Sequence, residues 1–345
     1  MYNRTMMMDS RSGSFSSQSS WGFDAKAGWY TDEQNASRAV SLFRYPSYGV
    51  GLFYGNLSSF RFGENGVYGD LGRSVALYGF FQCPIIRTQK SQFDWTLGLG
   101  VSGGHGTWNT ESNPQNFSTS TFLNYFVLLG AEYRHIVSDK SSLGVGLSLR
   151  HSSNSGFRTP NFGLNLLSLD LSYRFDENGN FDKRYPPLSN PNLPRKWDWS
   201  LSVGYGLQQL EKHDRMLLFD KPEYRFSNVT LSSRAMFQAF PKRKFGIGLD
   251  FFYSEAGSYL EQVFFHRKTQ GDPDGRPERY YLSQQLNGAV VLAHEYGYGK
   301  WWLMTDVGFY FAPFNGFYSK EQKTHFYERI GLKYRFSEQF YTAIC

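Results

Sequence analysis

The stretch Phe245-Gly246-Ile247-Gly248-Leu249-Asp250-Phe251-Phe252-Tyr253 alternates, with Phe, Ile, Leu, Phe and Tyr on odd positions and Gly, Gly, Asp and Phe on even ones. Successive side chains of a strand point to opposite faces, so this segment reads as a strand with a greasy face and a small or polar face. The same period runs through the rest of the chain. Trp301, Leu303, Thr305, Val307, Phe309 and Phe311 oppose Trp302, Met304, Asp306, Gly308 and Tyr310. Ile330, Leu332, Tyr334 and Phe336 oppose Arg329, Gly331, Lys333 and Arg335. Leu143, Val145, Leu147 and Leu149 oppose Gly144, Gly146, Ser148 and Arg150. Read this way, strands are expected near 21–31, 37–44, 47–56, 73–86, 94–104, 121–136, 143–153, 162–175, 196–207, 223–239, 245–256, 279–295, 300–312, 324–336 and 338–345.

Composition narrows the class. The chain has 345 residues with 35 Gly, 19% aromatic and only 19% charged residues, against roughly 7% Gly and 25% charged in ordinary soluble domains. That excludes disorder, which goes with few aromatics and high net charge, and a helical bundle, which needs Ala, Leu, Glu and Lys. The most apolar run, Phe122 to Ala131, is too short for a membrane helix and contains Asn124; such a helix needs about 20 apolar residues. The mean hydropathy of −0.49 does not exclude a membrane barrel, in which polar and apolar faces average out. Cys83 and Cys345 supply neither a disulfide framework nor zinc spacing, and no metal is implied. The densest basic cluster, Pro241-Lys242-Arg243-Lys244, reads as a turn; without a basic stripe or stacking motif, it does not indicate a nucleic-acid partner.

The connections alternate between short ones, such as Ser138–Ser142 and Pro241–Lys244, and long polar ones, such as Gly104–Thr119, Glu211–Pro222 and Gln262–Arg279. Short periplasmic turns and long external loops mark outer-membrane barrels. Tyr-Arg-Phe ends or borders strands at 173–175, 224–226 and 334–336, where aromatics would form an interfacial girdle. A soluble sandwich or propeller would instead show aliphatic core faces or blade-scale repeats. The expected fold is therefore an all-β, antiparallel transmembrane β-barrel of about 14–16 strands. Residues 1–20 read as a flexible tail and 21–345 as a single barrel, with Pro186–Pro194 a long turn. Strand parity and the ending Thr342-Ala343-Ile344-Cys345 suggest a missing last strand. Met1–Ser20 has no apolar signal core, so the sequence reads as truncated at both ends, or as a frame with a misplaced start and a shifted finish. Without a strand at 37–44, parity gives fourteen and a complete chain.

One strand breaks the lipid-face rule. His151 and Ser153 share the parity of Leu143 to Leu149, and Asn165 shares that of Leu167 to Phe175. With the hairpin turn near Arg158, Asn165 falls across from His151. Polar groups in hydrocarbon are costly unless partnered, and at membrane depth they are functional candidates. A His and a Ser on one strand face suit acyl transfer, with Ser153 as nucleophile, His151 as general base and a third group orienting the imidazole. The loop Asn154-Ser155-Gly156-Phe157-Arg158-Thr159-Pro160-Asn161-Phe162-Gly163 offers donors for an oxyanion. Arg150 and Arg158 flank the site.

The motif His151-Ser152-Ser153-Asn154-Ser155-Gly156 followed by Pro160-Asn161-Phe162-Gly163 resembles the signature of PagL-type lipid A 3-O-deacylases, outer-membrane barrel esterases. The likeness extends over residues 21–176, and the longer chain looks like the acyloxyacyl hydrolase members. The resemblance implies Ser153 as nucleophile, His151 as base, Gly156 N–H and the Asn161 side chain as oxyanion hole, and Asn154 in support. It further implies lipid A of the outer leaflet as substrate, a bacterial outer-membrane location, no cofactor, and a barrel compatible with a homodimer. The family's triad ends in a Glu where this chain has Asn165; Glu132 is an alternative carboxylate. Two other readings are a non-enzymatic channel or structural barrel with a relict motif, and an outer-membrane phospholipase.

Overall fold

The computed structural model describes residues 2–4, 7–8, 15–16, 19–31, 38–62, 69–158, 160–179, 181, 196–209, 225–255, 285–312, 326–337 and 339–345. It divides into two compact units, Met1–Leu188 and Ser189–Cys345. The sequence-expected loops 211–222 and 262–279 and the 186–194 turn lie outside the described residues.

In the first unit the strands are β1 (Tyr2–Arg4), β2 (Met7–Met8), β3 (Phe15–Ser16), β4 (Ser19–Tyr30), β5 (Ser47–Asn56), β6 (Arg61–Phe62), β7 (Gly69–Asp70), β8 (Gly72–Arg87), β9 (Ser91–His105), β10 (Asn124–Ile136), β11 (Ser141–Ser153) and β12 (Leu164–Phe175). Eight of them form one antiparallel sheet in the order β1-β4-β5-β8-β9-β10-β11-β12. β1, within the stretch read as a tail, pairs with β4 through Tyr2↔Trp21 and also lies against β12, so the sheet curls round on itself.

One expectation fails. Of the strand expected at 37–44, the described residues 38–44 do not form one; Arg38–Leu42 is a short helix, α1. Helical spacing puts Val40 and Phe43, three residues apart, on one buried face, where Phe43 packs edge-on against Phe81 at 5.8 Å. Arg44 and Tyr45 take positive φ of 57° and 56°. Their N–H groups then donate to Ser41 O and Val40 O at 3.0 Å each, a Schellman-like stop. Apolar content misled the strand reading here because the period is nearer three than two.

The alternation elsewhere holds. Leu143, Val145, Leu147 and Leu149 are 40–57% exposed, while Ser142, Ser148, Arg150 and Ser152 on the other parity are buried. Outside, Tyr125 and Tyr133 on β10 bracket Val127, Leu129 and Ala131, aromatics at two heights around an apolar band. Inside, the long-loop half is packed with Phe53, Tyr78, Phe126, Leu128, Leu164 and Leu166. The other half is ionic. Arg134 pairs with Asp94, Arg174 with Glu132 at 2.5 Å, and Arg150 with Asp24 at 3.1 Å. Glycine lines this face because the charged chains fill it: a Cβ at Gly144 would sit 2.4 Å from Ser172 Oγ and 2.8 Å from Glu132 Oε1. A cavity of about 540 Å³ remains among the ionic groups.

The second unit is a seven-stranded antiparallel sheet of consecutive strands: β13 (Trp197–Gln208), β14 (Phe226–Phe240), β15 (Arg243–Ser254), β16 (Leu286–Tyr298), β17 (Trp301–Ala312), β18 (Phe326–Arg335) and β19 (Tyr341–Ile344). One face presents Trp199, Leu201, Val203, Ile247, Leu292 and Ile330, all more than half exposed. The other buries Asp250, which meets Arg234 at 2.6 Å and also pairs with Arg329, and accepts from the Tyr327 hydroxyl. A cavity of about 920 Å³ lies along this polar face.

Candidate active site

β11 delivers the site by parity. Ser152 turns inward, where its hydroxyl meets Ser102 at 2.9 Å, so His151 and Ser153 turn outward, continuing the row of Leu143 to Leu149. In the β11–β12 register His151 stands opposite Asn165, as the hairpin argument anticipated. Ser153 stands opposite Tyr125 of β10, level with the aromatic that closes the apolar band.

The three side chains are in contact. His151 Nε2 lies 2.9 Å from Ser153 Oγ, and His151 Nδ1 lies 2.7 Å from Asn165 Oδ1. An amide oxygen only accepts, so Asn165 holds the ring proton on Nδ1 and leaves the Nε2 lone pair facing the hydroxyl. This is the tautomer a general base needs. Asn165 brings no negative charge. Glu132 does not replace it: it pairs with Gly146 on β11, several rungs from His151, and faces inward to Arg174. Arg150 likewise faces inward, to Asp24, and is not a wall of this site.

The loop after Ser153 is organised by Asn154, which is buried. Its N–H donates to Asn161 Oδ1 at 3.0 Å, its Oδ1 accepts from Gly156 N–H at 3.1 Å, and its Nδ2 donates to Arg158 O at 2.8 Å. Ser155 and Gly156 take φ of 54° and 78°, which turns the chain directly after Ser153. Asn161 thus spends its oxygen on the loop and keeps its amide N–H groups as donors, whereas the Gly156 N–H already has an internal acceptor.

Sequence alone assigned no role to two contributors, Gly163, which ends the Pro160–Gly163 motif, and the loop between β9 and β10. Gly163, at φ +74°, lies against the imidazole; a Cβ there would sit 2.7 Å from His151 Cε1. The loop between β9 and β10 grips this hairpin: Gly163 N–H donates to Ser118 O at 3.0 Å and Phe162 N–H to Phe117 O at 3.1 Å, and Ser120 Oγ donates to Arg158 O at 2.9 Å. Asn116, fully buried, ties that loop to Asp70 O at 3.2 Å and caps Ser118 N–H at 3.1 Å. The polar run from Asn113 to Ser120 was the available clue, though nothing in it names its target. Phe122, Leu123, Tyr125 and Phe157 stand exposed around the site. Among the described residues, no cluster of three His, Cys, Asp or Glu side chains is placed to hold a metal.

Residues 16–174 match the family described as lipid A 3-O-deacylase (PagL), and residues 197–345 match the acyloxyacyl hydrolase C-terminal domain. No curated protein and no solved structure matches the chain.

Proposed function

Because this chain belongs to the lipid A 3-O-deacylase (PagL) family through residues 16–174, continued by the acyloxyacyl hydrolase C-terminal domain over 197–345, we propose that it cleaves an ester-linked acyl chain from lipid A by a Ser153–His151 mechanism at the surface of an outer-membrane barrel. The family is one of carboxylic ester hydrolases. The observation that carries the mechanism is the chain of contacts Asn165 Oδ1, His151, Ser153 Oγ on the outward, apolar face.

In this reading His151 Nε2 takes the Ser153 proton as Oγ attacks the ester carbonyl carbon. The tetrahedral oxyanion is met by donors of the loop, the Asn161 amide first among them, with Gly156 N–H available once it leaves Asn154 Oδ1. Collapse breaks the bond to the sugar oxygen, which receives the proton from His151. Water, activated by the same imidazole, then releases the fatty acid from Ser153. The exposed site beside Tyr125 suits a substrate that stays in its leaflet, so the lipid need not be extracted.

Ser153→Ala and His151→Ala are each expected to abolish release of a lipid A acyl chain, read by mass spectrometry, while the barrel still assembles. Unchanged deacylation by either variant would refute the mechanism. Hydrolysis of phospholipid but not lipid A by the wild type would favour an outer-membrane phospholipase.

A further inference from the structure

The second unit carries a polar cluster on its otherwise greasy face. His294 of β16 shares the outward row of Val290 and Leu292, and its Nδ1 lies 2.9 Å from Thr305 Oγ1 of β17. The ring also lies tilted against Phe245 of β15, centroids 4.9 Å apart. One strand repeat nearer the turns, Arg243 stands across from Tyr296 with its guanidinium 5.6 Å from that ring. Lys300 occupies the two-residue turn between β16 and β17 and is exposed. Trp301 and Tyr334 close the patch, their rings 4.6 Å apart.

The charge here is one-sided. Glu295 and Asp306 of the same strands face inward and are paired, with Lys333 at 2.7 Å and Arg234 at 3.0 Å. Glu328 faces outward opposite Val307, farther from the turns than Thr305. Among the described residues, Arg243 and Lys300 have no acidic partner. The depths are also ordered. The cations lie at the short-turn end, which in outer-membrane barrels faces the periplasm. The His294–Thr305 pair lies about 7 Å deeper, two residues along the strand. Thr305 Oγ1 lies 2.9 Å from Nδ1 and 3.4 Å from His294 O; in the tautomer in which the hydroxyl donates to the nearer Nδ1, the ring proton sits on Nε2 as a free donor.

We infer that this patch of β15–β17 binds one anionic phospholipid of the periplasm-facing leaflet, its phosphate on Arg243 and Lys300 and an ester carbonyl on His294. A phosphate outermost and ester carbonyls just beneath it is the order of acceptors in a glycerophospholipid. An apolar wall continues below in Leu292, Leu249 and Val290, into which acyl chains run. The site is distinct from the Ser153 centre and does not depend on its chemistry.

The test uses refolded full-length protein in a neutral detergent, titrated with phosphatidylglycerol and, in parallel, with phosphatidylcholine and inorganic phosphate, with binding read by native mass spectrometry. A saturable one-to-one phosphatidylglycerol adduct is expected, matched by neither comparison ligand. Arg243→Gln together with Lys300→Gln should weaken it by about tenfold or more at low salt, with lipid A deacylation unchanged and Arg243→Lys retaining binding. His294→Leu with Thr305→Val, which only adds apolar surface to the lipid face, should weaken it severalfold and keeps the test open if the charge variant does not fold. Wild-type affinity in both variant pairs, or displacement of the lipid by inorganic phosphate, overturns the proposal.

Discussion

Gly163 shows how narrowly the imidazole of His151 is placed. Its φ of +74° and the 2.7 Å separation between a built Cβ and His151 Cε1 leave no room for a side chain. Gly163→Ala should push the ring away from Ser153, and displacement of about 1 Å at a reacting centre costs on the order of a hundredfold in rate. A matching fall in kcat with an intact barrel is the expected result, measured by acyl release and heat-modifiable migration. Asn165 acts on the same ring from the opposite strand. Asn165→Ala removes the acceptor that fixes the tautomer and should lower kcat less than His151→Ala does. Asn165→Glu adds a charge that favours the imidazolium formed in the reaction and should raise kcat by about tenfold; a lower kcat would show that the neutral amide is the better partner in this site.

Among the elements, the loop between β9 and β10 behaves as a clamp on the hairpin that carries His151, Ser153 and Asn165. Its own anchor is Asn116, buried and bonded to the backbone at Asp70 and Gly106. Asn116→Ala takes the donor from Gly106 O and the acceptor from the buried Ser118 N–H, a cost of about 1–3 kcal/mol for each group left unsatisfied, while Asp70 O keeps Asn113 Nδ2 at 2.9 Å. The cost falls on a loop, so the sheet should survive while the clamp loosens. The expected signature is faster proteolysis within 106–123 together with reduced kcat, and unchanged cleavage there would separate the loop from the site. The period-two elements were legible in sequence because each has one apolar face turned outward and one face against polar groups. α1 was not, since five helical residues hold too little pattern to outweigh their apolar content.

At the scale of the whole molecule, each unit carries buried ion pairs on its inward face. Asp94 is fully buried and meets Arg134. Removing one partner of such a pair strands the other and costs about 3–5 kcal/mol. Arg134→Leu should therefore lower the denaturant midpoint of the full-length protein, while Arg134→Leu with Asp94→Leu should recover much of the loss. Urea titration of both variants in lipid vesicles distinguishes the two outcomes, and equal destabilisation would mean the pair is not an energetic unit.

Sequence alone determined the strand periods, the inward and outward sets, and the fact that His151, Ser153 and Asn165 sit on the wrong side of that pattern. It could do so because parity is a local property of the extended chain. Tertiary structure alone decided that His151 bonds both Ser153 and Asn165, that Glu132 and Arg150 belong to the interior, that Gly163 abuts the imidazole, and that Ser118, Ser120 and Asn116 hold the loop. Those facts depend on register, turn conformation and the approach of segments far apart in the chain, where a displacement of one residue would reverse every face.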